Sequence, residues 1–356
     1  PVAVALTVGA YVQVLFPNVP ILLSAAICYA VSIILHLTGA AGSLRFEFVI
    51  TAIACLGLIL FAAIGLPKVT IDNLNQYSAG AVFPNGIAGL WAALPLAAWF
   101  FFAIESLPMS AEETRNPEKD MPRALIGAWI TLAFIGVVTL TVASGVGDAN
   151  LPSAAAPLTA ALQNVVGQQG WIVPTIAVFS LVALLASFHA ILLGYSRQVF
   201  ALSRAGYLPE WLSRLNSRKV PIWGLIVPGI VGYLFCIIGD QVLADAVPVL
   251  VTLSVLVAAV SYMLMMISAI VLRRRRPDMH RPYRVPGGEG LMWVSLVIAF
   301  ILIPASLVSY PIAFVVGVVV IGLFLAYFFA IGSKRAGDRT AEEELAAIEA
   351  AEAELE

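Results

Sequence analysis

Charge is what this sequence has least of. Asp, Glu, Lys and Arg make up 11% of its 356 residues, against about a quarter in ordinary soluble domains. Metal ligands are equally scarce, with three histidines and three cysteines in all. Cys28, Cys55 and Cys236 sit singly inside apolar runs at no metal-site spacing, so they read as small residues of helix interiors, with neither a disulfide nor a metal centre expected. There is no H-E-x-x-H, no Walker loop, no Gly-x-Ser-x-Gly elbow and no paired intramembrane aspartate, which leaves an enzyme without a catalytic constellation and calls for no cofactor. No selectivity-filter pattern marks a channel, although a pore needs only polar lining. A net charge of -2 offers no basic face for nucleic acid.

What the chain has in excess is apolar surface. Hydrophobic residues make up 61% and the mean hydropathy is +0.97, too much for a soluble core to hide. A helix needs about 20 apolar residues to cross a bilayer. Runs near that length recur ten times, near residues 1–16, 19–38, 44–66, 86–110, 122–146, 170–198, 220–239, 244–271, 290–309 and 311–332. The expected fold is all-α and polytopic, a transmembrane domain over 1–332 followed by an acidic tail over 333–356 with seven glutamates. The partners to expect are the lipid bilayer and a small solute. Pro1 opens directly into an apolar run with no basic n-region or cleavage site, so the first run reads as a chain starting inside a transmembrane helix.

Basic residues test the span count independently, because cytoplasmic loops are enriched in Lys and Arg. Assigning alternate loops to the cytoplasm places 18 of the 19 basic residues there, with Lys68 alone outside. Ten spans with both ends cytoplasmic follow. Residues 147–169 are then external and contain a short helical stretch over 157–166, readable as a lid or as a plain connector.

Charges inside a bilayer are expensive and mark candidate functional sites. Glu47 lies near Arg45 at a helix end, where snorkelling explains it. Glu105 ends a cluster that includes Trp99, Phe100, Phe101, Phe102 and Ala103, bracketed by Pro95 and Pro108. Prolines cannot donate the helical hydrogen bond. Transporters use such interrupted helices to present freed carbonyls near the membrane midplane, and the carbonyls of 99–102 with their aromatic faces suit an ammonium group. A kinked but continuous aromatic helix is the alternative. His36 reads as a satisfied helix-end residue. His189 lies mid-run beside Ser187, where it either faces a cavity and titrates near neutral pH or bonds a neighbouring helix.

Residues 99–124 resemble the sixth helix and following loop of amino acid-polyamine-organocation transporters. The shared pattern is the aromatic cluster, a small residue, Glu, then Ala-Glu-Glu-Thr-Arg-Asn-Pro at 111–117 and Pro-Arg-Ala at 122–124. Residues 187–209, from Ser-Phe-His through Gly-Tyr-Ser-Arg-Gln-Val-Phe-Ala-Leu-Ser-Arg-Ala-Gly-Tyr-Leu-Pro, look like the ethanolamine permease branch. The resemblance implies a LeuT-like five-plus-five inverted repeat plus two extra helices, with the ten runs as helices three to twelve and the first two absent from this chain. It also implies alternating access in a plasma membrane, expected to be a bacterial inner membrane. By the same likeness Trp99 gates the substrate, Phe100, Phe102 and Ala103 flank it, and the carbonyls of Trp99 and Phe102 receive its amine. Ser187, His189, Thr252 and Ser254 line the cavity, and Glu105 or His189 couples a proton. Two departures matter: Ala103 stands where many relatives have Gly, and helix 44–66 lacks the lysine of some proton-coupled relatives. A proton path through Glu105 or His189, sodium coupling and exchange therefore all stay open. The expected function is a permease importing a small amine, ethanolamine first, with an amino acid permease or exchanger as the alternative and a channel or solute sensor from another class.

Overall fold

The computed structural model describes residues 1–75, 85–102, 104–147, 151–167, 170–242 and 245–336, apart from the side chains of residues 40, 41, 43, 44, 105, 110, 112, 113, 242 and 336. Among these the only β feature is an isolated bridge between Leu215 and Pro221. The helices are α1 (Val2–Leu15), α2 (Ile21–Leu37), α3 (Ala40–Gly65), α4 (Ile71–Asn75), α5 (Gly86–Trp99), α6 (Pro117–Gly145), α7 (Pro157–Val166), α8 (Ile172–Arg204), α9 (Ile222–Val242), α10 (Ala246–Arg275), α11 (Gly288–Ser309), α12 (Pro311–Tyr327) and α13 (Ser333–Ala336). Each of the ten apolar runs contains a helix.

Among the described residues, seven helices are long and apolar enough to cross a membrane, while α1, α2 and α5 are apolar but shorter. Local chemistry sets those ends. Pro20 precedes α2, and Gly39, at φ +107°, turns the chain into α3. The run over 86–110 is not one helix, because α5 stops at Trp99 and a 3-10 segment follows over Ile104–Glu113. The acidic tail beyond residue 336 lies outside the described residues.

Four helix ends show how sequence sets local structure. Pro117, Pro157 and Pro311 each occupy a first-turn position, where the missing N–H has no helical partner to lose. α8 stops in a Schellman turn. Gly206, at φ +81°, donates its N–H to Ser203 O at 3.1 Å, and Tyr207 N–H donates to Leu202 O at 3.0 Å.

α8 is the hub of the bundle, packing against α1, α2, α3, α7 and α9. α1, α2, α8 and α9 enclose one core around Ala5, Cys28, Phe188, Leu192, Leu225 and Cys236. A second core joins α3, α6, α7 and α8 through Phe61, Val142, Leu162 and Ile176. α10 packs against α11, α12 and α5. Large apolar side chains remain exposed, among them Phe48, Phe134, Leu323 and Phe324, a surface suited to lipid contact.

Loops rich in Arg meet at one end of the bundle. Arg218 reaches the carbonyl of Leu37, Arg197 donates to the carbonyl of Met109, and Tyr327 donates to the carbonyl of Tyr207. At the other end, Asn73 donates to Gly145 O and Asn164 to Val146 O. α7 matches the stretch expected over 157–166, and it is firmly seated. Ala161 and Leu162 are fully buried, and the Leu158 N–H donates to the Tyr11 hydroxyl at 3.3 Å, so a residue of α1 caps the first turn of α7.

Candidate functional site

The helix interruption is the first feature of the site. Over 97–102 the backbone tightens from α-helical to i, i+3 bonding: Phe100 N–H donates to Ala97 O, Phe101 to Ala98 O, and Phe102 to Trp99 O at 3.2 Å. Pro95 stays inside α5 and is buried, and Pro108 lies within the 3-10 segment. The aromatic side chains fan out from this turn. Phe102 lies 5.7 Å from Trp99 and 5.8 Å, edge-on, from Tyr262 of α10. Phe101 stacks on Trp129 of α6 at 5.6 Å. Phe100 is 42% exposed and lies beside Gly136 of α6, away from the Trp99–Phe102 pair. Ala103 and the Glu105 side chain lie outside the described residues.

α8 passes directly behind the interruption. Its Gly194 is approached by Ser106, whose Cβ would lie 3.3 Å from an added side-chain carbon, and Arg197 fastens the 3-10 segment through Met109 O. Trp99 packs against the core that contains Phe188 and Leu192. The interrupted helix is therefore held against α8 on one side and α10, through Tyr262, on the other.

His189 occupies a different face of α8. It is fully buried, and its ring stacks on His36 of α2 with centroids 3.8 Å apart and planes 7° from parallel. Phe46 of α3 meets it edge-on at 5.4 Å. His36 Nε2 sits 2.9 Å from the carbonyl oxygen of His189. A carbonyl only accepts, so Nε2 carries the proton. His36 is thus more than the satisfied helix-end residue its position suggests, since it joins α2 to the middle of α8.

Helical geometry separates residues that the sequence groups together. Positions two apart on a helix point about 200° from each other. Ser187 is exposed while His189 is buried. On α10, Thr252 is fully buried with no hydrogen-bond partner for its hydroxyl among the described residues, while Ser254 is exposed and bonded to Leu250 O at 2.8 Å. Neither pair can line one face of a cavity. Tyr262, His36 and Phe46 are the neighbours that sequence reading missed. Only the 3.6-residue period of the flanking helices hinted at them.

Between α3, α7 and α8 lies an apolar cavity of about 20 Å³ lined by Phe61, Ile176, Phe179 and Ser180, among others. It has room for about one water and none for an organic solute. Among the described residues no group of three His, Cys, Asp or Glu side chains is placed to hold a metal ion.

Comparison with known proteins decides the family. The sequence profile described as "Amino acid permease" matches residues 1–334. The chain belongs to the amino acid permease family. Its relatives are transporters, so an enzyme is set aside on positive grounds. The branched-chain amino acid permease of Bacillus subtilis is 26% identical over 279 residues, which is 78% of this chain and 57% of that protein. The D-serine/D-alanine/glycine transporter of Escherichia coli is 24% identical over 359 residues, 93% of this chain and 74% of that protein. The aromatic amino acid transport protein of the same species is 24% identical over 288 residues, covering 78% of this chain and 62% of its own length. The chain thus spans little more than half the length of the Bacillus permease.

Proposed function

We propose that this permease carries a neutral amino acid across the membrane by alternating access, with its solute held at the interruption after Trp99. The observation that carries the reading is that interruption, an apolar helix ending in an aromatic turn between α8 and α10, within a chain whose residues 1–334 match amino acid permeases. Trp99, Phe102 and Tyr262 provide faces for an ammonium group, and backbone carbonyls of the turn provide acceptors. The named substrates of the relatives are neutral amino acids, which supports the same class here. Ala103 and Thr252 remain candidate contacts, with Phe100, Ser187 and Ser254 second to them on account of their outward placement.

The reading includes a five-plus-five inverted repeat as the moving frame and an inward proton as the driving ion, with Glu105 as the coupling carboxylate. It also puts the arginine-rich end of the bundle in the cytoplasm. Sodium coupling and exchange are the competing schemes. Ethanolamine is the second substrate reading, favoured by the segment 187–209 alone.

A thermal-shift panel tests the substrate class. A solute that binds the folded state at 100 times its Kd raises stability by about 2.7 kcal/mol. Glycine, alanine, serine, leucine or phenylalanine should raise the midpoint, with ethanolamine smaller in effect. A shift from ethanolamine and none from any amino acid would reverse the order of the two readings.

A further inference from the structure

α10 ends in three arginines, 273–275, Arg276 follows at its C-cap, and the loop to α11 adds Arg281 and Arg284. A topological bias toward positive loops needs only charge near the membrane, not a particular arrangement. Here the charges are arranged. Arg273, Arg281, Arg284 and Tyr283 surround a cavity of about 150 Å³ whose apolar wall includes Leu272 and Met292, a space of roughly five water volumes at about 30 Å³ each. Arg281 is fixed in place, donating to the carbonyls of Arg276, Met279 and Pro277 at 2.8, 3.0 and 3.2 Å. The nearby carboxylate is already engaged, because Glu289 pairs with Arg274 and accepts from Trp293 Nε1 at 3.1 Å. Arg273 and Arg284 have no hydrogen bond or ion pair among the described residues.

Two guanidinium groups with no hydrogen bond or ion pair of their own among the described residues, on a cavity walled by both arginine and apolar side chains, define the ligand. Guanidinium matches phosphate oxygens through paired N–H donors. Leu272, on the apolar wall, is 45% exposed, so that wall opens toward the surface that lipid would cover. A free anion would use the arginines and leave the apolar wall idle. We propose that this cavity seats the phosphodiester headgroup of an anionic membrane lipid, with Arg273 and Arg284 donating to the phosphate oxygens and Leu272 and Met292 meeting the acyl chains. The site is independent of the solute the permease carries.

Native mass spectrometry of the purified protein, loaded with phosphatidylglycerol or phosphatidylcholine, tests the site directly. Phosphatidylglycerol should be retained in preference. Arg273→Gln and Arg284→Gln should each weaken retention about tenfold, the scale of one hydrogen bond to a charged group, whereas Arg275→Gln, which removes the same charge beside the cavity, should leave it within about twofold. Equal loss in all three variants would reduce the effect to diffuse charge and overturn the site. So would unchanged retention in Arg273→Gln and Arg284→Gln. Displacement by millimolar inorganic phosphate with no preference between the lipids would make it a free-anion site instead and overturn the lipid assignment.

Discussion

Replacing His36 separates the two interactions that join α2 to α8. His36→Phe keeps an aromatic ring over His189 and removes the Nε2 donor to its carbonyl. A buried hydrogen bond contributes about 0.5–1.5 kcal/mol in water-soluble proteins, and polar contacts between membrane helices average about 0.6 kcal/mol. The carbonyl keeps the chance of a bond within its own helix, so about 0.5–1 kcal/mol is expected for this change. His36→Ala removes the ring as well, and His36 is 4% exposed. Emptying a site of that size adds a cavity cost, bringing the total to about 2–4 kcal/mol. Thermal unfolding in detergent should show a drop of about 1–3 °C for His36→Phe and clearly more for His36→Ala. The His36→Ala and His189→Ala pair should also couple by at least about 0.5 kcal/mol in a double-mutant cycle. Additive effects, or a His36→Ala variant as stable as His36→Phe, would refute the claim that the stacked pair joins the two helices.

Three further substitutions test other parts of the structure. Tyr11→Phe removes the hydroxyl that caps α7, and amide exchange at Leu158 should quicken about five- to tenfold, in keeping with a loss of about 1 kcal/mol. Gly57→Ala places a carbon 2.4 Å from the Phe179 Cβ at the α3–α8 contact, and the crowding should destabilise the fold by about 1–3 kcal/mol, read as a lower unfolding temperature. Trp99→Leu removes the ring that meets Phe102. It should raise the KM for solute about 2- to 30-fold, the range of a lost cation–π contact, with yield and monodispersity unchanged.

Much of the fold was legible because its signal is one-dimensional. Each of the ten apolar runs holds a helix, since unbroken hydrophobic length and flanking Pro, Gly and Arg are properties of neighbouring residues. The interruption near Trp99 was legible from its prolines and aromatic cluster, yet which proline the chain bends around was not. Pro95 stays within α5, and the turn comes only where three aromatic side chains must reach α6, α8 and α10 in different directions. The side-chain neighbours were hidden for a plainer reason. His36 and His189 are 153 positions apart, and nothing local in either stretch names the other. Ser187 and His189, like Thr252 and Ser254, sit two positions apart, and the 3.6-residue helical period sends the members of each pair to opposite faces.

Gradient-driven uptake is the most direct test of the central claim, that the protein is a permease for neutral amino acids. Purified protein in sealed proteoliposomes would be offered radiolabelled glycine, alanine, leucine and phenylalanine, with ethanolamine alongside, in the presence and absence of an inward proton gradient. The account predicts saturable uptake of at least one amino acid, accelerated by the gradient, with that acceleration lost in Glu105→Gln. Saturable uptake of ethanolamine with no amino acid flux would contradict the substrate class, and non-saturable flux of every solute would contradict the transporter itself.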